Sequence, residues 1–395
     1  MRIAMLGTKG IPAKWGGIEK YVEEVGKRLA ERGHEVTVFA SRWYCRDYTG
    51  DSYKGIRIIR VPALHLQATD ALSNSFFAFL RILIQPFDIV HFHSYGSYFF
   101  VAPVRALGKN TVVTSHGLID ASWENPKYGG FAHRVLRTAG SIGLRRAHCV
   151  TTVAAYWKER IEDAFHVDAC VLPAGLDKAD FRAPRIIRER YGLETGSYLL
   201  FLGRIDPIKR VDWVSGLRSQ GGLKIVIAGG AQDEPTGKYL AELQGKVAQN
   251  PRVIFTGPVT GEEKAELLSN CRFFVNPSTS EGLPITVLEA MSYGRCCVAS
   301  DIPAHREIIE HGKTGFLFEV GSADAFRELV EAVSRHSPED LGAIGAVAKN
   351  RIGGEYNWGR TTDLTEEIYG GLLDRAQAGD RPERKNTDGH RSAGA

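Results

Sequence analysis

The chain of 395 residues is too long for one ordinary hydrophobic core, so its length predicts two domains. Hydrophobic residues at 43% and charged residues at 24% are ordinary values for a globular protein. The formal net charge of +4 is too small to indicate a nucleic-acid-binding protein. The sequence contains no run of 18 apolar residues, so it predicts no membrane-spanning helix.

The cysteines and the first residues of the chain indicate a cytosolic protein. None of the six cysteines has a C-x-x-C partner, and Cys296 and Cys297 are adjacent in an apolar run, so we expect reduced, buried thiols. The opening MRIAMLG predicts a strand and not a secretion signal. We therefore expect a cytoplasmic protein, with peripheral attachment to the inner face of the cytoplasmic membrane as an option.

The first half of the chain alternates between short apolar runs and longer helical patterns. Residues 18–32 predict a helix. The runs that predict strands are RIAML, EVTVFA, DIVHFH, NTVVTS, HCVTTV and DACVL. This alternation predicts a parallel sheet with helices on both faces.

A glycine-rich turn follows the first predicted strand. In GTKGIPAKWGGIEKYVEE, Gly16 and Gly17 stand just before a helix, where glycines let the backbone approach a phosphate closely. The pattern is not G-x-G-x-x-G, and glycine also serves ordinary tight turns. This turn alone therefore leaves the phosphate-binding interpretation open.

Histidines stand at the ends of two predicted strands. For His91 and His93 in HFHS we predict roles in packing or in orienting other groups. His116, followed by a glycine in TSHG, is the better candidate for a cleft. No further ligand stands at a recognisable metal spacing and no Asp-x-Asp occurs, so no metal site is predicted.

A second series of strand patterns begins at SYLLFLG, residues 197–203, and continues through LKIVIAGG, RVIFTG, CRFFVNPS and GRCCVASD. The segment PAGLDKADFRAP between the two series is rich in proline, glycine and charge, which is typical of a domain boundary. The predicted fold is α/β, with two doubly wound domains whose strand ends face one cleft. The predicted divisions are an N-terminal domain over 1–175, a C-terminal domain over 176–356, a crossing helix over 357–377 and a disordered tail over 378–395.

Two cations follow the first strand of the second series. In LGRIDPIKR, Arg204 offers a planar fork of donors and Lys209 a point charge, and together they suit a diphosphate. The alternative is a solvated basic pair. Cations are poorly placed before a helix, where the dipole is positive, and that misfit favours a bound anion.

The segment STSEGLPITVLEAMSYG, residues 278–294, places two carboxylates around a helix start. Pro284 suits the first helical position, so Glu281 would lie in the preceding loop and Glu289 about one and a half turns inside the helix. A helix N-terminus attracts anions, and carboxylates accept hydrogen bonds from sugar hydroxyls. These residues predict a ligand with an anionic part and a polyhydroxyl part.

Together, GRIDPIKR, EGLPITVLEA with its E-x₇-E spacing, DIVHFHS, SHG and GGIEKYVEEV resemble glycosyltransferase family 4. The resemblance runs from about residue 1 to residue 375. It implies the GT-B fold, in which two Rossmann-like domains face across a cleft and the second holds most of the nucleotide sugar. The opening GTKGIPAKWGGIEKYVEEV also resembles bacterial enzymes of surface-polysaccharide synthesis, some of them described as rhamnosyltransferases.

The resemblance implies a role for each matching residue. Arg204 and Lys209 would bind the diphosphate, Glu289 the ribose hydroxyls and Glu281 the hydroxyls of the donor sugar. His116 would face the anomeric region. The remaining donor-binding candidates contribute mainly backbone, and they are Gly16, Gly17, Val259, Gly282, Leu283 and Ile285.

The predicted activity is retaining transfer of a hexose from a nucleoside-diphosphate sugar, most simply a UDP-sugar, to a glycan or lipid-linked acceptor. No cofactor and no metal are expected. A glycoside hydrolase that uses Glu281 and Glu289 stays open, as does a catalytically silent scaffold of the same fold. A phosphorylase or epimerase is a further alternative, although no pyridoxal-phosphate lysine motif is present.

A basic amphipathic segment over 125–149 is a candidate surface for an anionic membrane. Its apolar residues are interleaved with the cations Lys127, Arg134, Arg137, Arg145 and Arg146. An ordinary helix with solvated arginines explains the same pattern equally well.

Overall fold

The computed structural model describes residues 1–14, 16–64, 70–117, 130–218, 222–231 and 234–378, and side chains within these ranges except those of 130–133. The predicted tail after Ala378 therefore lies outside the described residues. Lys127 of the basic segment lies outside them as well.

The first half of the chain forms one sheet of eight strands with helices on both faces. Its order is β3-β4-β2-β1-β5-β6-β7-β8, and only the β3–β4 pair is antiparallel. The strands are β1 (Arg2–Leu6), β2 (Glu35–Ser41), β3 (Ser52–Tyr53), β4 (Ile56–Val61), β5 (Ile89–Phe92), β6 (Asn110–Ser115), β7 (Cys149–Thr152) and β8 (Ala169–Val171). The helices are α1 (Gly17–Glu31), α2 (Asp70–Ile84), α3 (Tyr95–Tyr98), α4 (Val101–Ala106), α5 (Gly130–Arg146) and α6 (Ala155–Phe165).

The second half forms a six-stranded sheet, all parallel, in the order β11-β10-β9-β12-β13-β14. The strands are β9 (Tyr198–Leu202), β10 (Lys224–Ala228), β11 (Val253–Gly257), β12 (Phe273–Asn276), β13 (Cys297–Ser300) and β14 (Phe316–Phe318). The helices are α7 (Ile186–Tyr191), α8 (Val211–Ser215), α9 (Glu234–Val247), α10 (Gly261–Asn270), α11 (Ile285–Ser292), α12 (Pro303–Arg306), α13 (Ala323–Ser334) and α14 (Pro338–Ile352).

Helices on both faces of each sheet bury its strands. The helix predicted over 18–32 is α1, which buries Tyr21, Val22 and Val25 on the side that faces the sheet. On the opposite face, α2 to α6 pack over the strands through an apolar cluster that includes Ala78 and Leu144. The predicted α/β architecture of two doubly wound domains is confirmed.

The helix predicted over 357–377 is α15 (Trp358–Gln377), and it crosses back to the first sheet. Tyr369 on α15 lies 2.6 Å, hydroxyl to Nδ1, from His91 on β5. Arg32, which follows α1, donates to Glu366 at 2.6 Å. The last helix therefore ties the end of the chain to the first domain, on the face that α1 covers.

The cysteines, one hairpin and the domain limits can be compared with the predictions from sequence. Cys296 and Cys297 are free and buried, as predicted, whereas Cys170 is exposed. The hairpin of β3 and β4 was missed, because its strands are short and the apolar run of β4 is broken by arginines. The exact domain limits stay a prediction, although the chain leaves the first sheet after Val171 and enters α7 at Ile186.

Candidate functional site

Both sheets place the candidate residues at their topological switch points. In the first sheet the strand order reverses between β1 and β5, and in the second between β9 and β12. Ligands of doubly wound sheets bind in the crevice beyond the carboxyl ends of these strands. His93 follows β5, Arg204 follows β9, and Glu281 lies in the loop after β12, so the residues singled out from sequence converge on these crevices.

The centre of the second-domain crevice is an ion pair. Lys209 Nζ lies 2.6 Å from Glu281 Oε2, and the two side chains are only 15% and 9% exposed. Lys209 ends a short 3₁₀ turn, Pro207–Lys209, which the Asp206 carboxylate caps by accepting from the Ile208 N–H. The Ile208 carbonyl then accepts from the Thr279 N–H at 2.8 Å, which holds the two loops together.

The other oxygen of Glu281 is also occupied. Oε1 accepts a hydrogen bond from Ser278 Oγ at 2.7 Å and faces Asn276 Nδ2 at 3.4 Å. Burial by itself would raise the pKa of Glu281, but the Lys209 charge, His305 and these donors outweigh it and lower that pKa. Glu281 is therefore a carboxylate at neutral pH, fixed in position before any ligand binds.

Arg204 lies on the same loop as Lys209 and is more open to solvent. Its side chain is 41% exposed, and Nη1 lies 3.7 Å from Asp206 Oδ2. A guanidinium in this position can turn toward an incoming anion at little cost in packing. The predicted combination of a fork donor and a point charge is thus present on one loop.

Glu289 lies inside α11, as predicted, with a partner that the sequence did not indicate. Lys264 on α10 donates to its Oε1 at 2.6 Å, while Oε2 is buried and no described group donates to it. Val259 is buried between β11 and α10, and it packs in the core cluster of the second domain that also contains Leu288 of α11. An unpaired buried carboxylate oxygen is costly, so Oε2 is a ready acceptor for a ligand hydroxyl.

The helix start differs by one residue from the prediction. The helix α11 begins at Ile285, and Pro284 is its N-cap with a non-helical ψ of 69°. The Leu283 side chain packs against core clusters of both domains.

The two domains touch through the loop before α11. A Cβ placed on Gly282 would lie 2.1 Å from the His116 carbonyl oxygen, so only glycine permits this approach. Trp157 on α6 donates its Nε1–H to the Gly282 carbonyl at 2.7 Å. A Cβ on Gly17 would lie 3.2 Å from Ile285 Cδ1. Residues 282 and 285 are therefore in contact with the first domain.

Gly16 is required for a different reason. Its φ is +102°, and a Cβ there would lie 2.0 Å from Glu19 Oε2. Glu19, in the first turn of α1, accepts from the Lys9 N–H at 3.0 Å and so closes the glycine-rich turn on itself. Burial raises the pKa of Glu19.

Three histidines meet at the first-domain side of the crevice. His116 Nε2 lies 3.3 Å from His93 Nδ1, and the His93 ring lies 4.1 Å from that of His91. His91 is held by Tyr369 and by Thr114 Oγ1, the latter at 2.6 Å. Burial lowers the pKa of His91 and His116 to about 3, so both rings are neutral at pH 7.

Among the described residues, no group of three or more histidine, cysteine or acidic side chains is arranged to hold a metal ion. Both ring nitrogens of His91 are hydrogen-bonded, and the roles of the three histidines stay predictions. That the reaction needs no metal or other cofactor stays a prediction.

Three residues with contacts to the site were missed. Lys264 pairs with Glu289, Trp157 binds the Gly282 carbonyl, and His305 lies near Glu281 and is buried with no described partner at Nε2. Each of the three residues lies 24 or more positions along the chain from its partner. No local spacing in the sequence could therefore have indicated the contact.

A cleft of about 410 Å³ opens elsewhere in the second domain and contains none of the predicted site residues. Its lining comes from the interdomain segment, the start of α10 and the end of α11, and consists of Lys178, Asp180, Arg182, Gly261, Glu262, Ala265 and Tyr293. We place the functional site at the switch points and not here, because the Lys209–Glu281 pair and the contact between the domains lie there.

No helix in the described ranges is both long and apolar enough to cross a bilayer.

Comparison with protein families gives two matches that lie side by side along the chain. Residues 15–180 match the model described as "Glycosyltransferase Family 4", and residues 196–336 match "Glycosyl transferases group 1". Together these models cover most of the chain, with one match on each of the two sheets.

Curated relatives match over almost their whole length. A GDP-mannose-dependent alpha-(1-6)-phosphatidylinositol monomannoside mannosyltransferase of Mycobacterium tuberculosis is 28% identical, over 91% of this chain and 95% of that protein. A D-inositol 3-phosphate glycosyltransferase of Stackebrandtia nassauensis is 25% identical, over 95% of this chain and 92% of that protein.

Solved structures share the fold. A sucrose-phosphate synthase from Thermosynechococcus elongatus superposes with a TM-score of 0.81 at 20% identity, covering 94% of this chain and 99% of that one. HepE from Anabaena, in complex with UDP-glucose, has a TM-score of 0.73 at 18% identity, covering 94% and 100%. At these identities the likeness establishes the two-domain GT-B architecture.

Proposed function

The chain belongs to glycosyltransferase family 4, and we propose that it transfers a hexose, with retention of anomeric configuration, from a nucleoside-diphosphate sugar to a lipid-linked or glycan acceptor. The observation that carries this proposal is the buried Lys209–Glu281 pair, at the switch point of the second sheet. The pair holds a cation that can bind a phosphate next to a carboxylate that can accept a hydrogen bond from a sugar hydroxyl.

Lys209 and Arg204 are proposed to bind the diphosphate. In the absence of a ligand the Lys209 charge is balanced by Glu281, and Arg204 lies 3.7 Å from Asp206. Negative charge grows on the leaving oxygen as the bond to the sugar breaks, so preorganised cations stabilise the transition state more than the ground state. These two residues would fill the role that a divalent cation fills in other enzymes.

Glu281 and Glu289 are proposed to bind hydroxyls at the two ends of the donor. The free Oε2 of Glu289 would accept from the ribose, because it is buried without a donor. Glu281 would accept from the donor sugar, and the neutral His116 would lie at the anomeric region. The backbone around Val259 would contact the base, and Gly16 and Gly17 would allow a close approach to the phosphates.

The proposed reaction occurs on one face of the sugar. The bond from the anomeric carbon to the diphosphate oxygen breaks, the acceptor oxygen bonds to the same face, and the acceptor proton passes to the departing phosphate. No carboxylate is assigned as a covalent nucleophile. Covalent attachment of a trapped donor analogue to Glu281 would show this step to be wrong.

The base of the donor is better assigned as guanine than as the uracil first expected. The mycobacterial relative is described as GDP-mannose-dependent. We therefore propose GDP-mannose as the first donor to assay and a phosphoinositide-type or other lipid-linked glycan as the acceptor class. UDP-sugars are the second choice.

A glycoside hydrolase is the less favoured function. Such an enzyme needs one carboxyl group that stays protonated near neutral pH to protonate the leaving group. The pKa of Glu281 is lowered and not raised, which is opposite to what a general acid requires. Lys209 and Arg204 would also lack a role in a hydrolase.

The test is thermal-shift binding to UDP, GDP, ADP, dTDP and CMP. We expect selective stabilisation by one diphosphate, with GDP the first candidate, and loss of that shift in Arg204→Ala and Glu289→Ala. Lys238→Ala, which removes an exposed cation paired with Glu234 on α9, is the matched control and should bind like the wild type. No stabilisation by any nucleotide would overturn the transferase proposal and favour the hydrolase or scaffold alternatives.

A further inference from the structure

The helix α2 exposes large apolar side chains along one face. Phe76, Leu80, Leu83 and Ile84 are 41 to 74% exposed, and their spacing of four, three and one residues places them on one side of the helix. We call these four residues the α2 ridge. The side of α2 that faces the sheet buries Ser75, Ala78 and Ile82.

The helix is therefore apolar on both sides, with Ile82 directed inward and the α2 ridge outward, unlike a water-facing helix. A helix on the surface of a soluble domain points its large apolar residues inward and its polar residues outward. A continuous apolar ridge of this kind marks an interaction site.

The neighbouring helices supply positive charge. The helices α2 to α5 lie on one face of the first sheet, where they follow one another along the chain between β4 and β7 and share one core cluster. On α5, Arg134, Arg137 and Arg146 are exposed. Within the described part of the chain, no carboxylate forms an ion pair with them or with Arg81 of α2.

Negative charge is nearly absent from α2, α4 and α5, whereas α6, farther along the same face, carries the exposed Glu159 and Asp163. The sequences of α2, α4 and α5 contain a single acidic residue, Asp70, at the first position of α2. Its carboxylate accepts a hydrogen bond from Trp43 Nε1 at 3.0 Å. The outer face of α2, α4 and α5 is therefore apolar along α2 and cationic along α5.

We propose that the outer face of α2 and α5 docks on an anionic phospholipid surface, with the α2 ridge inserted among the acyl chains and the α5 arginines against the headgroups. Apolar insertion beside arginines is the combination that interfacial membrane binding requires. The sequence of the basic segment over 125–149 left a membrane surface and an ordinary helix equally open, and the α2 ridge adds an exposed apolar surface on the same face of the sheet.

The charge pattern disfavours a second copy of the chain as the occupant. A twofold contact through α2 and α5 brings the same surface of both subunits together, and Asp70 is the one carboxylate of α2, α4 and α5 that could pair there with the α5 arginines. An anionic bilayer neutralises them instead. The docking proposal rests on the proposed function in one respect, that a lipid-linked acceptor requires the enzyme to work at a bilayer.

Flotation with phosphatidylcholine vesicles, with and without phosphatidylglycerol, tests the proposal at low salt. We expect the full chain to float with the vesicles that contain phosphatidylglycerol and not with the neutral ones. Leu83→Gln/Ile84→Gln should weaken that partitioning by at least about tenfold, since two inserted side chains are lost. Arg134→Gln/Arg137→Gln should weaken it by about tenfold and reduce its salt dependence.

Matched controls carry the same changes elsewhere. Val320→Gln/Val347→Gln alters two exposed apolar residues of the second domain, and Arg327→Gln/Arg335→Gln alters two exposed arginines there. Both should float like the wild type.

Absence of flotation with either vesicle would overturn the proposal, as would equal losses in the controls. A concentration-dependent dimer in sedimentation velocity that Leu83→Gln/Ile84→Gln abolishes would instead assign the ridge to a second copy of the chain. Nucleotide thermal shifts, measured on the same samples in the absence of vesicles, should be unchanged in every variant. Wild-type flotation without any nucleotide shift would leave the membrane surface standing and reject the transferase proposal.

Discussion

The two walls of the interdomain crevice differ in charge. The second-domain wall holds two carboxylate–lysine pairs, Lys209 with Glu281 and Lys264 with Glu289, each at 2.6 Å. The first-domain wall holds a row of histidines, and burial keeps His116 neutral at pH 7. One wall is thus built from paired charges and the other from uncharged rings.

This difference reflects two solutions to the same problem. An ionised group is costly to bury, so it is either paired with an opposite charge or kept neutral by a shifted pKa. Paired charges can exchange one partner for a phosphate or a hydroxyl when a ligand arrives. Neutral imidazoles offer hydrogen bonds beside a sugar that develops positive charge, without adding a repelling cation.

Removing the cation of the central pair should have the largest effect. In Lys209→Ala, Glu281 becomes a buried carboxylate without its counter-ion, which costs roughly 3–5 kcal/mol of unfolding free energy. The leaving diphosphate also loses a preorganised cation, so kcat/KM should fall by about 10²–10³. Urea unfolding and initial rates with the identified donor measure the two effects separately.

A second substitution separates stability from catalysis. Lys209→Ala/Glu281→Gln removes the unpaired charge, so the unfolding free energy should largely return while kcat/KM stays low. Lys238→Ala, at an exposed pair on α9, should change neither quantity. A wild-type rate in Lys209→Ala would contradict the role assigned to the charged wall.

The contact between the walls comes next. In Gly282→Ala the new Cβ would lie 2.1 Å from the His116 carbonyl oxygen, so the domains must move apart. A displacement of about 1 Å at reacting groups can cost about 10² in rate, and we expect kcat/KM to fall by that amount. Gly237→Ala on α9, where a Cβ meets nothing within 4 Å, is the control and should stabilise its helix slightly. Equal rates for the two variants would show that the contact does not position the reacting groups.

The architecture and several site residues could be predicted from the sequence because their signals are local. The Glu281–Glu289 spacing sits on one loop and helix, and Arg204 and Lys209 follow one strand. The charge partners were not predictable in the same way. Lys264 reaches Glu289 from a different helix, and the pairing depends on how α10 packs beside α11.

The outer face of α2 was also missed, for a related reason. The run FFAFLRILI, residues 76–84, is too short to span a membrane, and its apolar residues continue around the helix without marking one face. Which of its apolar residues face the core is decided by the packing of α2 on the sheet, which buries Ile82 and leaves Leu83 and Ile84 exposed.

The histidine wall should make stability depend on pH. The pKa of His91 is about 3 in the folded chain and 6.5 in its reference state, so between these values only the unfolded chain binds the proton. Stability is therefore complete above about pH 6.5 and falls as the pH drops toward 3. At pH 5 the loss from one such histidine is on the order of 2 kcal/mol.

Urea unfolding at pH 7 and pH 5 measures this loss. His91→Gln keeps hydrogen-bonding groups for Tyr369 and Thr114 but cannot titrate, so its difference between the two pH values should be smaller than that of the wild type. His336→Gln, at a half-buried position in the second domain, should retain the full difference. Identical pH dependence in His91→Gln and the wild type would mean that His91 is not held neutral by burial.

The smallest expected effect concerns a second contact between the domains. The helix α6 has Ala154 as its N-cap, which offers no side-chain acceptor, and Glu307 from the second domain accepts from the Ala155 and Tyr156 N–H groups at 2.9 and 3.2 Å. Glu307→Ala leaves these donors uncapped, so we expect a loss of about 1 kcal/mol in unfolding free energy. Glu307→Gln keeps one acceptor and loses the charge, so it should lose about half as much.

Asp324→Ala, in the first turn of α13 where Ser322 already caps the helix, is the comparison for a cap within one domain. If Glu307→Ala lowers stability no more than Asp324→Ala but raises KM for the donor, the carboxylate serves the alignment of the two walls and contributes little to holding the chain folded.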